Sequence, residues 1–174
     1  MFGAHLAAGL ALKGAEPRAP AWALLTGAFL PDLAWIALAG AGIEPTATGA
    51  FYDGWSHSVL SIVVLAGCWV LAFRRLGARP ALACGLAVLS HLPLDALIHP
   101  RPLELSPFSS ATLPWDLWAW GRQRTLGFTR YWLVQSGAIA ALLPIYVTRV
   151  RRTGVAWNLI AASCLTVIAA HCLI

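Results

Sequence analysis

The chain has 174 residues, a net charge of +5 and a mean hydropathy of +0.72, with 59% of its residues apolar and only 11% charged. Ordinary globular chains carry about a quarter charged residues, so the composition points to a small integral membrane protein in one domain. The +5 is not a nucleic-acid signal, because the arginines fall in short stretches between apolar runs, where they set membrane orientation.

Segment 2–12 is apolar but spans only about 17 Å as a helix, too short to cross a bilayer alone. No basic region precedes it, so it does not read as a cleavable signal peptide. Segment 13–20, with Gly14, Pro17 and Pro20, is a loop. Five apolar runs follow at 21–43, 57–73, 81–98, 131–147 and 155–174. Each approaches the roughly 17 to 25 residues a bilayer requires. The expected fold is therefore an all-α membrane bundle of about five transmembrane helices plus a short N-terminal helix, with a broken helix at Pro31-Asp32. The loops bearing Lys13/Arg18, Arg74/Arg75/Arg79 and Arg149/Arg151/Arg152 then share one face, expected to be cytoplasmic. The turn region 44–56 and the long segment 100–130 face outward. Trp115, Trp118 and Trp120 in the latter suit an interfacial position. Cys68, Cys84, Cys164 and Cys172 lie in apolar runs without a C-x-x-C pair and read as small buried hydrophobes.

The interiors of these runs hold no Lys, Arg or Glu, but two carboxylates, Asp32 and Asp95. A charge at membrane depth is expensive unless it is paired. Counted from the flanking loops at about 1.5 Å per residue, Asp32 and His91 fall about 18 Å deep, Asp95 about 24 Å and His57 about 25 Å. His91 and Asp95 are four apart and share a helix face; His99 leans to the same side. Pro31 lacks a backbone donor and interrupts its helix, which leaves Asp32 at the positive start of a new half-helix. Pro93 loosens its own segment in the same way, and Ser56 is a candidate N-cap for the helix beginning at His57. Two imidazoles and two carboxylates suit a divalent ion, zinc first, with Asp oxygens able to bridge to a second ion. An Asp–His network that only ties helices together, an ion or proton pathway, and axial ligation of haem by His57 and His91 are the other readings.

The ordered set His5, Leu30-Pro31-Asp32, Ser56-His57-Ser58, Ser90-His91-Leu92-Pro93-Leu94-Asp95 and His99 resembles the bacterial membrane-bound metal-dependent hydrolases of the YdjM-like group. The same order is similar to zinc-dependent phospholipase C and the related fungal nucleases. The resemblance implies a bacterial inner-membrane enzyme whose metal ligands are His5, Asp32, His57, His91 and Asp95, with one or two zinc ions. It leaves out a later His and His-x-x-x-Glu pair that the soluble enzymes use for a further zinc. Asp32, Asp95 and His99 are the candidate catalytic groups. Arg101, Arg122, Arg124 and Arg130 lie on the outward side and suit recognition of a phosphate. The expected substrate is a phosphoester of a lipid or lipid-linked molecule, the expected partners membrane lipids.

Overall fold

The structure is a computed structural model that describes residues 2–44, 54–97, 103–113 and 124–150. Its helices are α1 (Phe2–Ala15), α2 (Ala21–Ala28), α3 (Leu30–Gly40), α4 (Gly54–His57), α5 (Val59–Phe73), α6 (Ala78–Leu89), α7 (His91–Ala96) and α8 (Arg124–Val150). An antiparallel hairpin of β1 (Glu104–Ser106) and β2 (Ser109–Thr112) lies between α7 and α8, with Glu104 opposite Thr112 and Ser106 opposite Ser109.

The short N-terminal helix is the axis on which the rest assembles. Ala4, Ala7, Ala8, Leu10 and Ala11 are all buried, and α2, α6 and α8 pack around them. Small side chains allow this because neighbouring backbones can approach closely. At Gly14 the approach is tightest: a Cβ there would sit 2.7 Å from the Ile145 carbonyl oxygen and 2.9 Å from Tyr146 Cα. Ala4 and Ala8 meet Ala138 and Leu142, and Leu10 meets Leu143 and Tyr146, so α1 and α8 run side by side in the same direction.

The second layer is an α5–α6 hairpin. Ser58, not Ser56, caps α5, accepting a hydrogen bond from Ser61 N at 3.3 Å. A 3-10 turn at Arg74–Leu76 and Gly77, at a φ of 98° that favours glycine, reverse the chain into α6. Ile62 and Ala66 then pack on Val88, while Ala83, Cys84 and Ala87 pack on Ala23 and Leu24 of α2. The outer side of α5 stays uncovered: Leu60, Val63, Val64 and Leu71 are exposed.

Among the described residues the five-span, all-α bundle expected from hydropathy is not found. Among the described residues one stretch, Val59–Leu76, is helical, long and apolar enough to cross a membrane, or two if the bent pair Ala21–Ala28 and Leu30–Gly40 counts as one span. Proline is the physical reason. Segment 21–43 bends by 58° at Phe29, because Pro31 has no N–H to give the Gly27 carbonyl; the ladder restarts with Leu33 N to Phe29 O at 2.9 Å. Segment 81–98 stops at Leu89 and resumes as the six-residue α7, because Pro93 has none for the Leu89 carbonyl. Asp32 does fall in the first turn of α3, with Pro31 beside it. Segment 131–147 is part of α8, which already begins at Arg124. Segment 155–174 lies outside the described residues. The 100–130 loop contains the β-hairpin, whose Phe108 packs edge-to-face on Trp55 of α4 with ring centroids 5.1 Å apart.

Candidate metal centre

The two breaks open onto the same point. Asp32 enters from the first turn of α3, and His57 closes α4. His91 opens α7, Asp95 follows one turn later, and His5 comes from the first turns of α1. Their side-chain atoms converge. His91 Nε2 is 3.2 Å from Asp95 Oδ2 and 3.8 Å from Asp32 Oδ1. His57 Nε2 is 3.3 Å from Asp32 Oδ1 and 4.0 Å from Asp95 Oδ2, and His5 Nε2 is 3.4 Å from Asp95 Oδ1. The His5 and His91 rings stack, 3.9 Å between centroids and 2° from parallel.

Burial makes this arrangement costly without a cation. The side chains of His5, His57, His91 and Asp95 are at most 7% exposed, whereas Asp32 is 43% exposed and forms the opening. Among the described residues neither carboxylate pairs with Lys or Arg. The His5 ring nitrogens and His91 Nε2 are buried and have no hydrogen-bond partner there. His91 Nδ1 lies 3.0 Å from the Ala28 carbonyl oxygen, which can only accept, so Nδ1 carries a proton and Nε2 is the nitrogen turned to the carboxylates.

Two triads could hold a metal ion, His5–Asp32–His91 and His57–His91–Asp95; within each, the ligand atoms lie no more than 4.8 Å apart. Around a tetrahedral ion with bonds of about 2.0–2.1 Å, ligand atoms sit about 3.3 Å apart. Within the triads, His91 Nε2 and Asp95 Oδ2 lie at that spacing, 3.2 Å apart, while His91–Asp32 and His57–Asp95 are wider at 3.8 and 4.0 Å. His91 belongs to both triads, so the five residues form one cluster rather than two separate ones.

All five residues nominated as ligands are thus brought together. His99, Arg101 and Arg122 lie outside the described residues. Arg124 and Arg130 lie on the first turns of α8, and their side chains are likewise outside what is described. Two groups behind the cluster carried no signal in the sequence. One is the Ala28 carbonyl, freed by the break at Phe29. The other is Glu44, fully buried, whose Oε1 accepts from Ser56 N at 2.9 Å and whose Oε2 accepts from Ser56 Oγ at 2.9 Å. Ser56 Oγ in turn lies 2.8 Å from His57 Nδ1. Asp32 also lines a groove of about 640 Å³, together with Leu25, Thr26, Phe29, Leu33, Trp35 and Ile36.

The chain matches no family model, no curated protein and no solved structure.

Proposed function

We propose that the cluster is a divalent-metal centre, zinc in the first instance, of a membrane-associated hydrolase that cleaves a phosphoester of a lipid or lipid-linked substrate. One observation carries the metal assignment: Nε2 of the buried His91, whose Nδ1 donates to the Ala28 carbonyl, faces Asp95 Oδ2 at 3.2 Å, with no Lys or Arg beside that carboxylate among the described residues. A divalent cation there would be held by His91 Nε2 and Asp95 and would balance the charges of Asp32 and Asp95. His5, His57 and His91 supply neutral nitrogen ligands, and Asp95 reaches His5 with one oxygen and His91 with the other. The resemblance to the YdjM-like hydrolases supports the same ligand set.

When bound, such an ion supplies Lewis acidity and brings the pKa of a water toward neutrality. Asp32, the exposed member of the five, is placed to take a proton from an attacking water at the opening. The groove that meets Asp32 presents Leu25, Phe29, Leu33, Trp35 and Ile36 to an apolar chain, so a substrate with a polar head at the cluster has somewhere to put its tail. The uncovered apolar side of α5 and the bent α2–α3 pair support a lipid environment. A phosphoesterase screen of zinc-loaded protein against lipid phosphates, with Asp95→Asn as control, tests the reading. Turnover that is lost in Asp95→Asn supports it; no turnover of any lipid phosphate by zinc-loaded protein counts against it.

The alternative of a non-hydrolytic ion or proton site draws on the same cluster and is favoured by the broken α2–α3 pair, since interrupted helices build ion sites in transporters. Zinc bound without any hydrolysis, together with ion flux in vesicles, is its expected result.

A further inference from the structure

Glu44 lies four residues beyond α3, folded back by hydrogen bonds from Ile43 N and Glu44 N to Leu38 O at 2.9 and 3.3 Å. Its side chain is wholly buried, yet among the described residues it pairs with no Lys or Arg. All its hydrogen bonds there come from Ser56: the amide to Oε1 at 2.9 Å, and the hydroxyl to Oε2 at 2.9 Å and Oε1 at 3.2 Å. The hydroxyl also sits 2.8 Å from His57 Nδ1. A hydroxyl has one proton and an ionised carboxylate can only accept. The Ser56 proton therefore goes to Glu44, and Ser56 Oγ must accept from Nδ1–H of His57. That turns His57 Nε2 toward Asp32 Oδ1, 3.3 Å away, a hydrogen bond whose proton an ion between the two would replace.

We infer that Glu44 is a positioning residue of the centre: through Ser56 it holds the proton of His57 on Nδ1 and so presents Nε2 to the ion. The inference rests on the metal-centre reading above. Metal-ligating histidines commonly give their other N–H to a carboxylate or carbonyl. Here a serine hydroxyl extends that link by one group. His91 obtains the same result from the Ala28 carbonyl, so two ligands from different helices are fixed as Nε2 donors by unrelated partners. The chain also gives the buried Glu44 charge a counterpart, because positive charge drawn onto His57 by an ion is shared through Nδ1–H.

Glu44→Gln tests this with little change in shape. The amide oxygen still accepts from Ser56 N, but its NH2 donates to Ser56 Oγ. The Ser56 proton then turns to His57 Nδ1, and the ring takes its proton at Nε2, where the ion should bind. Zinc affinity of the purified full-length chain, measured by chelator competition, is expected to fall about 10- to 100-fold, while thermal unfolding of the zinc-free protein stays close to wild type. Ser56→Ala should weaken zinc by a similar factor, and the double variant by no more than Ser56→Ala alone, because Glu44 acts through Ser56. Undiminished affinity in Glu44→Gln, or effects that multiply in the double variant, would overturn the inference. Should Glu44→Gln fail to fold, nitrogen–proton correlation spectra of zinc-loaded wild type decide: His57 is expected with its proton on Nδ1 and zinc on Nε2, and the reverse overturns the inference. Wild type that binds no zinc sinks the metal reading and this inference together. Wild type that binds zinc while Glu44→Gln binds equally well sinks this inference alone.

Discussion

His91 gives its Nδ1 proton to the carbonyl of Ala28, 3.0 Å away and 63 residues earlier in the chain. In an unbroken helix that carbonyl would bond to the N–H of Asp32. Pro31 interrupts the ladder, and the freed oxygen orients a histidine on another helix. A single imino acid thus both bends the chain and sets the tautomer of a candidate ligand.

Pro31→Ala follows from this. Alanine restores an N–H and lets α2 run into α3, so Asp32 N competes for the Ala28 carbonyl. Zinc affinity should fall about 10-fold, the low end for groups that hold a ligand histidine. Because proline is well tolerated in a first helical turn, unfolding free energy without metal should change by no more than about 1 kcal/mol. Chelator competition and thermal melts check the two halves separately.

Zinc binding should strengthen as pH rises from 5 to 8. Three histidines must be neutral and two carboxylates ionised for the ion to enter, so protons compete with it, and a free imidazole loses its proton near about 6.5. The sign is fixed: acid releases the ion and alkali retains it. Dialysis at stepped pH followed by metal analysis gives the profile. An affinity that is flat across this range would mean the histidines are not ligands.

The contrast between two glycines tests the α1 axis. At Gly14 a Cβ would meet backbone atoms of Ile145 and Tyr146, which cannot rotate aside, so Gly14→Ala should destabilise the fold by about 1–3 kcal/mol. At Gly67, within α5, a Cβ meets nothing within 4 Å, so Gly67→Ala should be neutral or stabilising by up to about 1 kcal/mol. Denaturant or thermal unfolding of both variants reads the difference.

How much of this the sequence carried differs between the site and the fold. Asp32 and Asp95 stood out because a carboxylate in an apolar run needs a partner. His57 and His91 joined them by distance along the chain, and the structure brings these four and His5 to one point. The span count failed because a hydropathy window averages across Phe29 and Ser90, where Pro31 and Pro93 stop the helices. The role of α1 was hidden because a run of Ala and Gly is equally apolar on every side, and nothing in such a run says whether it is peripheral or enclosed. Glu44 was read as part of a polar turn, since its link to Ser56 is a tertiary contact across 12 residues with no periodic trace.

The groove beside Asp32 gives the substrate its test. Leu33 and Ile36 line it and are exposed, so Leu33→Glu or Ile36→Glu should leave zinc affinity within about 2-fold and the fold intact. Hydrolysis of a long-chain lipid phosphate should fall by more than about 10-fold, with less effect on a short water-soluble phosphoester, because charge in an apolar groove penalises the tail and not the head. Equal loss on both substrates would mean the groove does not hold the tail.

Metal content of the purified chain is the most direct measurement. Titration with zinc should end at one equivalent per chain through His91, and His91→Ala should reduce affinity by more than about 100-fold while circular dichroism still reports a folded helical protein. A wild-type chain that takes up no divalent transition metal, or a His91→Ala chain that keeps its equivalent of zinc, would contradict the metal centre.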